Sequence, residues 1–389
     1  MNQNDSLGEV PILISLIPNL MGGEGHIIPY HIAVSKAANL LEWKHIAAIP
    51  PDANVQNLPS SWYPYLSHVD LEAKLHPLIR ILRFSDVCHL AKTIANFLKK
   101  DVLPYSNYPI IFTERFIHIQ LFALLIALCL IPKKNLSVWL LYRRDTHRDK
   151  TCWIYKLLNK LIKQILEPGR FHLLTDSECL SKSLENYFNE VVTVMPIPHT
   201  DFINLESTSQ TSREVICWWP GTPRLEKGWD NIKSLVTANF DAAKKICLVA
   251  AQSSELLPLA GGIQVKLIAN YLTEAEYLYW LKISDIILLP YDAIAYSERT
   301  SGIFTECIIA GKIPVVTAGT WMAKELIKYG LNELIIDWDQ PELVVKEIIN
   351  LAQSETVKDK ILKIQAAYQD FHSLENYAHY MNKLFLCSL

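Results

Sequence analysis

Two glutamates eight positions apart, Glu298 and Glu306, are the residues of this sequence with the clearest chemical potential. The apolar run before them, Asp285–Leu289, is typical of a parallel strand buried on both faces. The apolar residues that follow have helical spacing and predict a helix that begins near Ser301, with Glu298 on the loop before it and Glu306 inside it. A buried carboxylate needs a hydrogen-bond donor, and the vicinal hydroxyls of a sugar would serve Glu306.

The start of this predicted helix is suited to an anion. The backbone N–H groups of Thr300, Ser301 and Gly302 would lie at the helix N-terminus, where partial positive charge favours a group such as a diphosphate. One loop can therefore hold both a phosphate and a sugar.

A second loop carries positive charge. The run Val215–Trp219 predicts the first strand of the second half of the chain, and Arg224 and Lys227 follow it before the next predicted helix. A cationic pair at such a place can neutralise a phosphate. Because the carboxyl ends of parallel strands meet at one edge of a sheet, we expect this loop to face the two glutamates.

A glycine-rich loop follows the first predicted strand, Pro11–Ile17. Glycines let a backbone approach a ligand, but the pattern is not GxGxxG and lacks the acidic residue expected about 20 positions later, which disfavours a nicotinamide cofactor. A tight turn is the alternative interpretation. The histidine at the entry to the next helix is either a catalytic candidate or a core residue. These candidates are Gly22, Gly23, Gly25 and His26.

Strands and helices alternate along the rest of the sequence, which indicates βαβ units and an α/β fold. In the first half we predict an irregular surface loop at Ser60–Pro64, a strand at Tyr108–Thr113 and a helix at Glu114–Cys129. Asp176 and Ser177 are placed to cap a helix at Glu178–Phe188.

The length of 389 residues exceeds what one hydrophobic core usually serves, so two domains are expected. Half of the residues are hydrophobic and 20% are charged, which excludes a disordered chain. We predict an N-terminal domain (1–195), a linker (196–214) rich in Pro, Ser and Thr, and a C-terminal domain (215–370). A last helix within 371–389 is expected to pack back on the N-terminal domain.

Charge is unevenly distributed although the formal net charge is only −3. Between Lys133 and Arg170 there are ten basic and three acidic residues, so this basic belt either faces an anionic partner or is a solvated surface. Within it a predicted amphipathic helix carries Lys156, Lys160 and Lys163 on one face, for which contact with an anionic membrane is the alternative to solvation. Nucleic-acid binding has no motif support.

Several patterns bear on location and on metals. The eight cysteines include no CxxC pair, so we expect a reduced compartment and no structural zinc. The first residues lack the order of a signal peptide, and the apolar window Phe116–Ile131 is shorter than the ~20 residues that span a bilayer. A cytoplasmic protein, with peripheral contact at the inner face of the membrane, is the expectation. The DxD at Asp337–Asp339 precedes a predicted helix and is better read as a cap than as a metal site.

Taken together, residues 215–352 resemble the donor domain of GT-B glycosyltransferases, most closely retaining glycosyltransferase family 4. The family's sequence of strand, Gly, Arg and Lys-Gly appears as Gly221, Arg224 and Lys227-Gly228. Its Glu-x7-Glu follows as Glu298 and Glu306, and its run with a glycine before Pro-Val-Val follows as GKIPVV, which ends at Val316. The resemblance implies a GT-B fold, in which two Rossmann-like domains with parallel sheets face each other across a cleft.

The resemblance also implies residue roles. Arg224 and Lys227 would bind the diphosphate of a nucleotide-sugar donor, Glu306 the ribose, and Glu298 the transferred sugar. Arg299 stands where the family commonly has serine, and it would share the phosphate role. Backbone near Tyr271-Leu272 would contact the base.

The implied activity is a hexosyltransferase-type transfer of sugar to an acceptor hydroxyl with retention, without a metal or a further cofactor. The acceptor would be a sugar, a polysaccharide or a glycolipid. A nucleotide-sugar epimerase of the same architecture and a non-catalytic nucleotide-sugar-binding protein remain the alternatives.

Overall fold

The computed structural model describes residues 10–20, 26–53, 58–67, 71, 82–200, 214–237 and 241–389. The chain divides into two compact units. Unit 1 comprises residues 1–199 together with 374–389, and unit 2 comprises residues 200–373.

Unit 1 is built on a parallel sheet whose described strands have the order β3-β2-β1-β4-β5-β6-β7. These strands are β1 (Ile12–Leu16), β2 (Lys44–Ala48), β3 (Trp62–Tyr63), β4 (Pro109–Glu114), β5 (Ser137–Tyr142), β6 (Phe171–Thr175) and β7 (Val192–Val194). The connecting helices are α1 (Ile27–Leu40), α2 (Leu82–Phe97), α3 (His118–Cys129), α4 (Cys152–Ile165) and α5 (Glu178–Phe188). Every residue of β4 and β5 is buried, as expected of central parallel strands covered on both faces.

Unit 2 has a second parallel sheet, of described order β10-β9-β8-β11-β12-β13. Its strands are β8 (Val215–Trp218), β9 (Ile246–Ala251), β10 (Gln264–Ile268), β11 (Ile286–Leu289), β12 (Ile313–Thr317) and β13 (Ile335–Ile336). Its helices are α6 (Trp229–Thr237), α7 (Glu274–Ile283), α8 (Gly302–Ile309), α9 (Trp321–Lys328), α10 (Pro341–Gln353) and α11 (Glu355–Phe371). Strand β11 lies between β8 and β12, and its residue Ile286 is opposite Cys217 of β8 on one side and Ile313 of β12 on the other.

The last helix, α12 (Leu374–Leu386), belongs to unit 1. Its buried face, which includes Tyr377 and Met381, joins the same hydrophobic cluster as Tyr30 of α1 and Trp139 of β5. The hydroxyls of Tyr30 and Tyr377 are 3.1 Å apart. Unit 1 is therefore completed by residues from both ends of the described chain.

The structure corrects two element predictions in unit 1. Ser60–Pro64 is not an irregular loop, because Trp62 and Tyr63 pair with β2 and the Trp62 side chain is buried. Glu114 does not begin a helix: it is the last residue of β4, and α3 begins only at His118. The backbone of Arg115 is left-handed (φ 47°), which interrupts any helix at that point.

Two further segments differ in detail from the sequence expectation. Ser177 caps α5 through its side chain, which accepts a hydrogen bond from the Leu180 N–H, whereas Asp176 pairs with Arg143. In the segment expected to begin the linker, Ile197 and His199 are buried, and residues 201–213 lie outside the described part. Within the described ranges, no helix is long and apolar enough to cross a bilayer.

Candidate functional site

The site in unit 2 lies where the strand order reverses. The chain leaves β8 toward β9 on one side, whereas β11 lies on the other side of β8. Loops that leave two such neighbouring strands in opposite directions open a crevice at the carboxyl edge of the sheet. Here these loops are residues 219–228 and 290–301, and they carry most of the predicted site residues.

The two loops touch directly. Gly228 has a φ of 77°, and a Cβ at this position would lie 2.0 Å from the carbonyl oxygen of Pro290. The backbone N–H of Asp292 donates to the carbonyl of Glu226 at 3.0 Å, and the Trp219 indole donates to the carbonyl of Lys227 at 3.1 Å. The contacts of Gly228 and Glu226 fix the first loop against the second, and the Trp219 hydrogen bond folds the first loop on itself.

Lys227 is held inside this arrangement. Its Nζ lies 5.8 Å from the centroid of the Tyr291 ring, and a Cβ at Gly221 would lie 3.0 Å from the same nitrogen. Burial, followed by repulsion from Arg224 and Arg299, lowers the pKa of Lys227 to about 8, and Glu226 opposes that effect. A cation whose charge is destabilised in this way favours an anionic ligand.

Arg224 and Arg299 lie on different loops, and the positive charge of each lowers the pKa of the same residue, Lys227. Arg224 is exposed, with its guanidinium 3.7 Å from the Glu226 carboxylate. Arg299 lies over the ring of Tyr296, 4.8 Å from its centroid. The structure thus brings together the cations that the sequence placed on two separate loops.

Glu306 is a buried carboxylate of α8, with 8% of its surface exposed. The hydroxyl of Tyr277 on α7 donates to its Oε2. Burial and the neighbouring Glu306 raise the pKa of Tyr277 well above its usual value, so the phenol remains a donor. The expectation that Glu306 needs a donor is confirmed, and at least one is a protein side chain.

Helix α8 begins next to Ser301, as the sequence predicted. Ser301 is its N-cap, with Oγ accepting from the Phe304 N–H, and Thr300 and Gly302 flank it at partly buried positions. Glu298 lies on the preceding loop and is partly buried. That loop is tied to α9, because the carbonyl of Tyr296 accepts from the Trp321 N–H at 2.7 Å.

The remaining predicted residues lie elsewhere. Tyr271 and Leu272 lie in unit 2 on the turn between β10 and α7, and the Tyr271 side chain is exposed. His26 belongs to unit 1, where it precedes α1 and stacks on His199 with ring centroids 6.0 Å apart. Burial, with Arg143 and His199, lowers the pKa of His26 well below its usual value. Gly22, Gly23 and Gly25 lie outside the described residues.

The DxD sequence forms a turn, since the N–H of Asp339 donates to Asp337 Oδ1 at 3.1 Å before α10 begins. Nowhere in the described ranges do three or more His, Cys, Asp or Glu side chains form a group that could hold a metal.

Sequence reasoning missed Tyr277 and Tyr291, which hold Glu306 and Lys227 in place. Their contacts depend on how neighbouring elements pack against each other, which the local sequence does not show. Sequence reasoning also did not predict that Arg143 forms buried ion pairs with Glu114 and Asp176 in unit 1. These charged residues follow or end β4, β5 and β6, so the rule that ligands bind at the carboxyl edge of a parallel sheet could have found them.

Comparison with solved structures gives full-length matches at low identity. Anabaena HepE in complex with UDP-glucose is 12% identical, over 97% of this chain and 100% of that chain, with a TM-score of 0.64. The trehalose 6-phosphate synthase of Burkholderia multivorans is 10% identical, over 97% and 96%, with a TM-score of 0.61. The glycosyltransferase SnogD of Streptomyces nogalater is 13% identical, over 97% and 100%, with a TM-score of 0.53.

This chain has the GT-B fold. Its two parallel Rossmann-like sheets confirm the fold class expected from the sequence. No protein-family model matches the sequence, and no curated protein matches it significantly. The GT-B likeness therefore comes from structure, at identities that establish fold alone.

Proposed function

We propose that this protein is a glycosyltransferase that moves a sugar from a nucleotide diphosphate sugar to an acceptor hydroxyl, with retention, as in glycosyltransferase family 4. The observation that carries the proposal is the convergence of Arg224, Lys227 and Arg299 at the strand-order reversal of unit 2. Clustered cations at the carboxyl edge of a parallel sheet match the charge and the usual location of a diphosphate.

Each donor group has a candidate partner. The cationic side chains and the N-terminus of α8, at Thr300–Gly302, bind the diphosphate. Glu306, oriented by Tyr277, accepts from the ribose hydroxyls, and Glu298 accepts from hydroxyls of the transferred sugar. The backbone at Tyr271-Leu272 contacts the base. Gly221 leaves room for the Nζ of Lys227 beside the backbone. Gly228 lets the first loop lie directly against Pro290, and together the two glycines shape this site.

The proposed reaction needs no protein nucleophile. The acceptor oxygen attacks the anomeric carbon on the face from which the diphosphate leaves, the bond from that carbon to the phosphate oxygen breaks, and the acceptor proton passes to the leaving phosphate. The protein lowers the barrier by positioning the reactants and by stabilising charge that grows on the diphosphate. Lys227 and Arg224 act on that charge directly.

We propose that unit 1 binds the acceptor, with His26 among the residues that contact it. We also propose that α4 makes peripheral contact with an anionic membrane at its cytoplasmic face. Lys156, Lys160 and Lys163 are exposed, and Trp153 and Leu157 are exposed beside them. Lys163 pairs with Glu190 at 2.6 Å and Lys156 lies over the Tyr187 ring, so Lys160 is the lysine most available to a headgroup.

Thermal-shift measurements with UDP-, GDP-, ADP- and dTDP-sugars test the proposal first. HepE was solved with UDP-glucose, so UDP-sugars are the first donors to try. We expect one nucleotide class to stabilise the wild type, and Arg224→Ala to lose that stabilisation. Lys245→Ala, an exposed lysine distant in sequence from both loops, is the matched control. If no nucleotide sugar binds, or if both variants bind equally well, the site assignment is wrong.

A further inference from the structure

Two tyrosines in contact with each other carry two of the cations of the unit 2 site. Lys227 Nζ lies over the ring of Tyr291, 5.8 Å from its centroid, and the guanidinium carbon of Arg299 lies 4.8 Å from the centroid of Tyr296. The two ring centroids are 4.5 Å apart, with their planes inclined at 52°. We propose that Tyr296 is a positioning residue that holds Arg299 beside Lys227 for the donor phosphate that carries the transferred sugar. The phosphate rests on the proposed function, whereas the arrangement of the cations does not.

The tyrosine pair is a fixed support. Tyr291 is 1% exposed and Tyr296 is 6% exposed. The backbone of Tyr296 is held on both sides, because its N–H donates to the carbonyl of Asp292 at 3.0 Å and its carbonyl accepts from the Trp321 N–H at 2.7 Å. The loop and the start of α9 therefore set the position of this ring before any ligand binds.

Arg299 is a cation whose charge is left for a ligand. It is partly buried and makes no ion pair with a described residue, whereas the guanidinium of Arg224 lies 3.7 Å from the Glu226 carboxylate. A guanidinium stacked on an aromatic face keeps the N–H groups at its edge free, and these can donate two parallel hydrogen bonds to a phosphate. Stacking also restrains a side chain that would otherwise lose rotamer freedom on binding.

The closeness of Lys227 and Arg299 is itself unfavourable without an anion. Burial and then repulsion from Arg224 lower the pKa of Lys227, and Arg299 adds to this effect. Glu226 acts in the opposite sense but does not restore the usual pKa. A bound phosphate would relieve the repulsion between these cations, so their arrangement favours an anionic ligand.

The roles proposed for the two glutamates indicate which phosphate Arg299 meets. Glu306 is assigned to the ribose and Glu298 to the transferred sugar, and Arg299 directly follows Glu298 in the chain. Because the diphosphate links the ribose to the sugar, a cation next to Glu298 meets the phosphate bonded to the sugar. This phosphate leaves when its bond to the anomeric carbon breaks, and Arg299 stabilises the charge that grows on it.

The test is calorimetry of the full-length protein with pyrophosphate, UDP and UMP. Pyrophosphate needs no base contact, and UDP is chosen because HepE was solved with UDP-glucose. We expect Arg299→Gln to weaken binding of pyrophosphate and UDP about tenfold or more, and binding of UMP by less than about threefold. Tyr296→Leu should weaken binding of the same two diphosphates about fivefold or more, because the guanidinium loses its support. Tyr296→Phe, which keeps the ring, should bind as the wild type does.

A double variant separates positioning from any other role of the ring. Tyr296→Leu combined with Arg299→Gln should bind UDP no more weakly than Arg299→Gln alone, because the ring acts through the guanidinium. Tyr279→Leu, at an exposed position on α7, is the control and should change no affinity.

The pKa of Lys227 gives a readout that needs no ligand. In protein labelled with [ε-13C]lysine, the Lys227 signal is assigned by its absence in Lys227→Met. Its pKa, about 8 in the wild type, should rise in Arg299→Gln and in Tyr296→Leu, because repulsion from the guanidinium is lost. Tyr296→Phe should leave this pKa unchanged.

Equal UDP affinity in Tyr296→Leu and in the wild type overturns the inference and leaves the proposed function standing. A double variant whose loss equals the product of the two single losses does the same. Equal losses of UMP and UDP in Arg299→Gln overturn the assignment to the phosphate that carries the sugar.

If Tyr296→Leu fails to fold, as judged by its melting curve, Arg299→Lys decides. Lysine keeps the charge but not the planar fork, so UDP affinity equal to that of the wild type would show that a stacked guanidinium is not needed. If neither pyrophosphate nor UDP binds to the wild type, this inference loses its phosphate together with the diphosphate site of the proposed function. The pKa of Lys227 then decides whether Tyr296 positions Arg299.

Discussion

A Cβ on Gly228 would lie 2.0 Å from the carbonyl oxygen of Pro290, closer than any real contact allows. The loop that carries Lys227 can therefore touch the loop after β11 only because residue 228 lacks a side chain. The left-handed backbone at this glycine (φ 77°) excludes most other residues for a second, independent reason.

Gly228→Ala should destabilise unit 2 by more than about 3 kcal/mol, since it adds a steric clash to a strained φ. Gly330→Ala is the control, because Gly330 has a similar φ of 66° but a Cβ there would have no described atom within 4 Å. Strain alone should cost that variant about 1 kcal/mol. Urea unfolding measures both, and equal losses would show that the contact with Pro290 does not matter.

Lys227→Met should stabilise the protein while it removes donor binding. The side chain keeps its length, but the charge that burial destabilises is gone, so we expect a gain on the order of 1–2 kcal/mol at neutral pH. Donor affinity should fall about 10–100-fold because a charge-assisted contact is lost. Lys245→Met, at an exposed position, should change neither melting temperature nor affinity. A destabilised Lys227→Met protein would indicate a structural role for this lysine.

Donor affinity should fall as pH rises through about 8. The pKa of Lys227 is lowered to about 8, and a diphosphate prefers the protonated side chain, so deprotonation above that pH removes the attraction. Folding stability changes in the opposite sense. Below about pH 8 the folded state holds the charged, buried lysine, which costs free energy. As pH rises from about 8 toward 10.5, the pKa of the lysine in the unfolded chain, the folded state loses this charge first and becomes more stable. Calorimetry of the nucleotide diphosphate over about one pH unit on either side of this pKa should show the decline in wild type and a flat profile in Lys227→Met.

Glu306→Gln should weaken donor binding about 10-fold or more, because the amide cannot accept hydrogen bonds from two ribose hydroxyls as a carboxylate does. Tyr277→Phe should have a smaller effect, about 3–10-fold, since it removes only the donor that orients the carboxylate. Tyr279→Phe, an exposed tyrosine on the same helix, is the control. Unchanged nucleotide affinity in Glu306→Gln would remove this residue from the donor site.

The order of elements and the two-sheet fold could be predicted because most strands of the sheets are short apolar runs bounded by turn residues. The start of α8 could be predicted from Ser301 and the apolar spacing after it, which are local signals. Contacts between side chains of different elements could not be predicted in this way. Nothing near Tyr277 in sequence indicates that its hydroxyl reaches Glu306, 29 positions away. The local pattern places Glu114 in the wrong element, and its chemistry depends on Arg143 and Asp176, which only the sheet brings close.

Contact of α4 with anionic membranes can be tested by vesicle sedimentation. Lys160→Glu combined with Trp153→Ser should reduce binding to phosphatidylglycerol vesicles about fivefold or more, because each basic residue near the surface contributes about 1 kcal/mol and the indole adds buried area. Lys182→Glu, an exposed lysine on α5, should have little effect. Binding that is insensitive to the double substitution, or equal with uncharged vesicles, would exclude this helix as the contact.

The return of α12 to unit 1 has a consequence for synthesis. Leu374, Tyr377 and Met381 fill part of the core that Tyr30 and Trp139 begin, so the ribosome must deliver every residue of unit 2 before that core is complete. Until then a nascent unit 1 exposes the apolar face that α12 will cover, whereas unit 2 has all of its own residues by Ser373. Unit 1 is translated first, but its core cannot be completed until all of unit 2 has been translated.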